Sequence, residues 1–228
     1  MGQPYISIVI PTLNEEKNIG KLIKSVKQVL KPYRYEIIVV DGGAEGLSTD
    51  ATVRIARAGG AKVAFDNKGK GSALIRGFRA ASGKIIISMD ADLSHRPTEL
   101  KLLIAGIETG YDICVGSRFL TGGGSSDMPP LRVFGNKIFV LLVNLLYGSK
   151  YTDMCYGYRS FTKRSVGRMH LKELGFGIET EINIKARKAG LRVLEVPSFE
   201  KKRQMGVGKL NTLRDGFVIL TTILKNAV

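Results

Sequence analysis

Ile85-Ile86-Ile87-Ser88-Met89-Asp90-Ala91-Asp92-Leu93 is the stretch that decides the fold. The apolar, β-branched run Ile85 to Met89 has the length of a buried strand, and it stops at a carboxylate. In extended backbone Asp90 and Asp92, two residues apart, send their side chains to the same side. Such a pair suits a hard divalent cation, Mg²⁺ or Mn²⁺, which prefers oxygen ligands and completes its shell with phosphates and water. A solvated turn is the plain alternative, and the position just after a buried strand weighs against it.

The same arrangement recurs upstream. Tyr5 to Ile10 reads as a strand that stops at Pro11, and Asn14 is placed to cap a helix in which Ile19, Leu22, Ile23, Val26 and Leu30 share one face. Glu36 to Val40 is a second strand and stops at Asp41. A helix over Asp50 to Ala58, a strand over Lys62 to Phe65 and a helix over Ser72 to Ala81 follow, and Pro97 opens another helix. This alternation predicts an α/β fold with a mostly parallel sheet flanked by helices. Its ligands should sit just past the carboxyl ends of the strands.

Downstream of a strand over Ile113 to Val115, Thr121 to Ser126 reads as a flexible Gly-rich loop, followed by the basic and apolar segment Leu131 to Tyr147. Glu179 to Ala189 reads as a helix, Val193 to Val196 as a strand, Lys201 to Lys209 as a basic loop and Leu210 to Leu224 as an amphipathic helix. With 228 residues, one domain over 1–228 is expected.

Thirty-five Lys plus Arg against 20 Asp plus Glu give a net charge of +15, so the surface should attract polyanions or anionic lipid. A nucleic-acid-binding module is a remote alternative, because no helix-turn-helix, zinc-finger or aromatic RNA-binding motif accompanies the charge. Cys114 and Cys155 have no metal-ligand spacing and read as reduced thiols, which points to the cytoplasm. The apolar run before Pro11 is too short for a signal peptide. Ile138 to Tyr147 is broken by Asn144, short of the roughly 18 apolar residues of a spanning helix. A membrane-using form of this protein should therefore lie on the bilayer.

Asp41 and the segment Ser48-Thr49-Asp50-Ala51-Thr52 offer acceptors for a base or ribose, although capping a helix explains Asp50 equally well. Lys68-Gly69-Lys70-Gly71, just before a helix, can cradle phosphate through charge and backbone amides, and it lacks the P-loop pattern.

These segments, with Ile8-Val9-Ile10-Pro11-Thr12-Leu13-Asn14-Glu15, Asp90-Ala91-Asp92-Leu93-Ser94-His95, Gly116-Ser117-Arg118-Phe119 and the run from Arg203 to Gly208-Lys209, resemble the family 2 glycosyltransferases of GT-A fold. Within them the resemblance is to the dolichyl- or polyprenyl-phosphate sugar synthases, over nearly the whole chain. It implies a Rossmann-like GT-A sheet with amphipathic interfacial helices. Residues 1–120 would form the nucleotide-sugar half, and residues 121–228 the acceptor-binding, membrane-facing half. Pro11, Glu15, Asp41, Asp50, Lys70, Asp90 and Ala91 would line the donor, with Asp90 and Asp92 holding Mg²⁺ or Mn²⁺. Arg118, Arg132, Lys209 and Glu181 would line the acceptor phosphate, and Asp92, Asp153 and Arg203 would serve catalysis. Ser94 stands where some of these synthases have Gln, and Gly42 to Leu47 looks like an insertion of about four residues that leaves uridine against guanosine open.

The implied reaction is inverting transfer of a hexose from a GDP-mannose- or UDP-glucose-type donor to a dolichyl or polyprenyl phosphate, at the cytoplasmic face of a membrane. A phosphate monoester, with a second pKa of about 6, attacks without strong base assistance. A sugar or protein hydroxyl acceptor is the alternative, and it would make Asp153 or Glu181 an essential base. Arg132, Lys137 and Lys150 bracket Val133, Phe134, Ile138, Phe139, Leu141, Leu142 and Leu145, a pattern of one or two short helices able to lie among lipid headgroups. Leu210, Leu213, Phe217, Leu220 and Leu224 near Arg214 and Lys225 repeat it, with core packing as the alternative.

Overall fold

The computed structural model describes residues 2–203, 205 and 211–227. Its main sheet has seven strands in the order β3-β2-β1-β4-β7-β5-β8. In chain order these are β1 (Ile6–Thr12), β2 (Tyr35–Asp41), β3 (Lys62–Phe65), β4 (Ile85–Ser88), β5 (Ile113–Ser117), β7 (Arg159–Thr162) and β8 (Val193–Pro197). Only β7 runs antiparallel to its neighbours, β4 and β5. A parallel two-stranded ribbon pairs β6 (Gly124–Ser125) with β9 (Phe199–Glu200).

Strand side chains alternate between faces, so each inner strand feeds two cores. Ile8, Ile10, Ile37, Val39, Ile85 and Ile87 pack with Ile19, Leu22, Ile23 and Val26 of helix α1 (Glu16–Leu30), Ala56 of α2 (Thr52–Ala58) and Leu103 of α4 (Leu100–Glu108). Val9, Ile38, Val40 and Ile86 pack on the other side with Leu74 and Phe78 of α3 (Lys70–Ala80), Met169 of α6 (Lys163–Met169) and Ile182 of α7 (Ile178–Lys188). A third cluster joins Val143 of α5 (Pro130–Tyr147), Ile184 of α7 and Ile219 and Ile223 of α8 (Thr212–Lys225).

Several sequence expectations are corrected. The first strand continues through Pro11, whose missing N–H is harmless because the β1–β4 ladder has ended at Val9 and Ser88. Asn14 does not cap α1; at φ +57° it accepts a hydrogen bond from Thr49 N–H instead. Thr121 to Ser126 contains a strand, and Gly42 to Leu47 folds as a tight turn in which Gly43 and Gly46 exchange backbone hydrogen bonds of 2.8 and 3.0 Å. Gly42 there has φ +125°, and a Cβ would lie 2.1 Å from the Asp66 carbonyl oxygen, so only glycine fits. Leu131 to Tyr147 lies within one helix. At 18 residues and mean hydropathy 1.3, α5 is long and apolar enough to cross a membrane, contrary to the reading that Asn144 breaks it.

Candidate active site

The carboxyl ends of β1, β2 and β4 open onto one edge, where three groups of charged side chains assemble. Asp41, fully buried at the end of β2, accepts hydrogen bonds from Thr12 Oγ1 at 3.1 Å, Ser48 Oγ at 2.6 Å and Ser48 N–H at 3.0 Å. Asp50 accepts from Thr52 N–H at 2.9 Å and from Glu16 N–H at 3.1 Å, tying the first turns of α2 and α1 together. Burial pushes the Asp50 carboxyl up, but the Thr52 hydroxyl, then the Thr52 and Glu16 N–H groups, outweigh it and leave its pKa lowered. Both carboxylates hold the loops that frame the edge. Pro11 is half-buried at the same edge.

Asp90 and Asp92 stand past the end of β4. Asp90 Oδ1 is 2.9 Å from Lys70 Nζ, and that ammonium is also 3.0 Å from Glu179 Oε1 at the start of α7. Burial opposes charge on both sides of this pair. Lys70 nevertheless stays above its ordinary pKa because Asp90 and Glu179 flank it, and Asp90 falls to about 2 because Lys70, then His95, offset its burial. His95 is buried against Tyr158, ring centroids 4.6 Å apart, and its Nδ1 accepts a hydrogen bond of 3.1 Å from Asp90 N–H. This fixes the ring and, through it, the backbone that carries the first carboxylate. Ala91 is buried in the core beneath.

Asp92 Oδ1 accepts from Ser94 N–H at 3.0 Å, while Oδ2 meets Arg203 Nη2 at 3.0 Å. The other arm of Arg203, Nη1, is 3.0 Å from Glu15 Oε1. Burial raises the Glu15 pKa, against the pull of Asn18 and Arg203. Glu15, Asp92 and Arg203 thus meet at one point, and Lys70, Asp90 and Glu179 at another.

Among the described residues no group of three His, Cys, Asp or Glu side chains forms a ready metal cage. The donor set still fits Mg²⁺ or Mn²⁺: two hard carboxylates, each balanced by a cationic side chain in the free protein, suit an ion that takes one or two protein carboxylates plus phosphate and water.

On the acceptor side, Asp153 is fully buried and gripped bidentately by Arg118, Nε to Oδ2 at 2.7 Å and Nη2 to Oδ1 at 2.9 Å. Arg118 Nη1 reaches Glu200 Oε2 at 3.1 Å, and its guanidinium lies over the Tyr156 ring. Despite burial, these carboxylates hold the Arg118 pKa above its ordinary value. Glu181 accepts from the N–H groups of Lys172 and Glu173 and pairs with Lys185 at 2.7 Å. It is not gathered with Asp153 or with the Asp90–Lys70 group. Arg132 Nε donates to Thr212 Oγ1 at 3.2 Å where α5 meets α8. Lys209 lies outside the described residues.

One site residue escaped the sequence reading of roles, and for another it was the partner that escaped. Glu179, which with Glu181 matches acidic positions of the acceptor side in the resemblance, is the second partner of Lys70, 109 positions away in the chain, and no local pattern announces that pairing. Gly157, held by Ser88 Oγ at 2.9 Å, leaves room for the cluster: a Cβ there would lie 3.4 Å from Lys70 Nζ and 3.5 Å from Asp90 Oδ2. The Tyr156-Gly157-Tyr158 pattern is the one available signal.

α5 and α8 pack together, and on them the apolar side chains Leu131, Phe134, Leu141, Leu145, Leu213 and Phe217 are all exposed. Large apolar side chains exposed together on neighbouring helices suit an interaction surface.

Comparison with known proteins converges on one group. Residues 7–169 match the family model described as glycosyl transferase family 2. A dolichol-phosphate mannosyltransferase of Pyrococcus furiosus is 35% identical over 209 residues, covering 90% of this chain; this chain spans 59% of that protein. A polyprenol monophosphomannose synthase of Mycolicibacterium smegmatis is 28% identical over 90% of this chain and 80% of its own. Among solved structures, the glucosyl-3-phosphoglycerate synthase of Mycobacterium tuberculosis, crystallised with Mn²⁺, UDP and glucosyl-3-phosphoglycerate, superposes at a TM-score of 0.75 with 24% identity, over 98% of this chain and 80% of its own. That likeness shows the GT-A fold.

Proposed function

The chain belongs to glycosyl transferase family 2, and from that premise we propose that it transfers a hexose from a nucleotide diphosphate sugar to a polyprenyl or dolichyl phosphate, with inversion at the anomeric carbon. The observation that carries the choice of acceptor is the state of the carboxylates. A hydroxyl acceptor needs a free base, yet Asp153 is enclosed by Arg118 and Glu181 by Lys172, Glu173 and Lys185. A phosphate monoester arrives already ionised and needs none.

In this reading a phosphate oxygen of the lipid forms the new bond to the anomeric carbon as the bond to the nucleoside diphosphate breaks. Asp90 and Asp92 would hold Mg²⁺ or Mn²⁺, which when bound neutralises the leaving diphosphate. Lys70 and Arg203 turn their charge to the phosphates, and His95 keeps Asp90 in place. Glu15 and the Ser48–Thr52 loop hold the nucleotide side. The uncharged sugar then bridges the two phosphates with no protein base beside it.

The exposed face of α5 and α8 supports attachment to an anionic bilayer, and the two free thiols support its cytoplasmic side. Although α5 is long enough to span, Val143 and Asn136 are buried, and Asn136 accepts a hydrogen bond of 3.0 Å from Met154 N–H. The helix is part of the domain wall, and in this reading it lies in the headgroup layer. Incubation with Mn²⁺ or Mg²⁺, a panel of GDP- and UDP-sugars and a polyprenyl phosphate tests the function: a sugar–lipid product is expected, and its absence with every donor would overturn the reading.

A further inference from the structure

The free protein already contains the charge that a metal would bring. Asp90 meets Lys70 at 2.9 Å and Asp92 meets Arg203 at 3.0 Å, so each carboxylate of the Asp-Ala-Asp pair has a cation of the chain against it. Neither cation is otherwise free: Lys70 also holds Glu179 at 3.0 Å, and Arg203 holds Glu15 at 3.0 Å. All six side chains are largely shielded from water, between 5% and 30% exposed, so the pairs are weakly screened.

A divalent cation arriving alone must push an ammonium and a guanidinium away from the carboxylates it needs. It leaves them nearby with no new partner, at short range and in a partly desolvated cleft where like charges repel strongly. A diphosphate changes that balance. Its oxygens accept the displaced Lys70 and Arg203, the guanidinium bidentately, and free Asp90 and Asp92 for the ion.

Resting on the glycosyltransferase reading, we propose that Lys70 and Arg203 are placeholders for the divalent cation and exchange carboxylate for diphosphate, so that metal and nucleotide bind as a coupled pair and metal binds poorly alone. Ordered use of the site follows. The cleft stays closed to free Mg²⁺ or Mn²⁺ and accepts the ion with the nucleotide. Linkage makes the effect reciprocal: the factor by which nucleotide tightens metal is the factor by which metal tightens nucleotide.

Direct contact between metal and phosphate would also couple the two ligands, so the decisive comparison is made without nucleotide. Binding of Mn²⁺ is followed by loss of the free-ion paramagnetic resonance signal, for the wild-type protein, Arg203→Met and Arg203→Lys. Each is measured with no nucleotide and with saturating UDP or GDP. Wild type should gain on the order of tenfold in Mn²⁺ affinity with nucleotide. Arg203→Met, lacking the competitor at Asp92, should bind nucleotide-free Mn²⁺ at least about fivefold more tightly than wild type and show a smaller nucleotide effect. Arg203→Lys, which keeps a cation, should stay near wild type. Unchanged or weaker nucleotide-free binding by Arg203→Met would overturn the placeholder role while leaving the glycosyltransferase reading intact. Failure of wild type to bind Mn²⁺ even with UDP and with GDP would instead remove the metal site, and this inference with it.

Discussion

Arg118 is the residue at which a phosphate-binding role and a structural role, holding buried Asp153, separate most sharply. In Arg118→Met the Asp153 carboxylate, fully buried, loses two charge-assisted hydrogen bonds of 2.7 and 2.9 Å, and Glu200 loses one of 3.1 Å. Breaking a buried ion pair from one side costs about 3–5 kcal/mol. Asp153 keeps the backbone N–H groups of Arg118 and Cys155, both at 3.2 Å, which places the expected cost near the lower end, about 3 kcal/mol. For a chain of this size that is a fall in melting temperature of roughly 6–12 °C. The double variant Arg118→Met/Asp153→Asn should recover part of the loss, because it no longer buries an unpaired charge. Calorimetric or circular-dichroism melts of the three proteins check this. If Arg118→Met melted within about 2 °C of wild type and lost only its affinity for polyprenyl phosphate, the pairing with Asp153 would carry no structural weight and Arg118 would be an acceptor ligand.

Asp92→Asn should fold normally and lose roughly 100-fold in transfer, since an amide is a poor Mg²⁺ ligand and several kcal/mol of charge stabilisation goes with it; full activity, or activity undiminished by chelator, would remove the metal assignment. Glu36, at the far edge of the sheet, is pushed up by burial but pulled down to about 2 by Lys62, Ser7 and Ser82. A depressed carboxylate stabilises above its unfolded pKa, so Glu36→Gln should cost about 2–3 kcal/mol at pH 7, and the difference should vanish as pH falls from about 5 towards 2; a pH-independent difference in melting would refute the pairing. Wild type should float with anionic vesicles at low salt and release at high salt, each basic residue near the surface contributing on the order of 1 kcal/mol. Phe134→Asp plus Phe217→Asp should abolish flotation, and binding that survives both changes would discard the α5–α8 face as the contact.

The parts of this molecule that repeat locally were readable in its sequence. The α1 stripe from Ile19 to Leu30 is buried as its spacing demands, and Asp90 and Asp92 stand just past a buried strand. What was hidden depends on distance along the chain. Strand β7 has only four residues and carries buried Arg159 and Ser160, so nothing in its composition separates it from a loop; it becomes a strand because β4 and β5 lie on either side of it. The pairings Lys70–Glu179, Glu15–Arg203 and Arg118–Asp153 leave no periodicity. Arg118 and Asp153 could each be recognised as important, but not that each is the other's partner. Pro11 misled for the opposite reason: a local rule about proline gave way to a ladder that had already ended.

The central claim is that an ionised phosphate, and no protein base, supplies the nucleophile. The most direct measurement offers the protein a prenyl phosphate and the corresponding prenyl alcohol side by side, with Mn²⁺ and the donor sugar nucleotide it uses best, and quantifies sugar transferred to each lipid. Product on the phosphate alone, with the anomeric configuration inverted relative to the donor, is the predicted result. Comparable transfer to the alcohol would contradict it, because the chain would then need the free base that the Arg118–Asp153 pair does not provide.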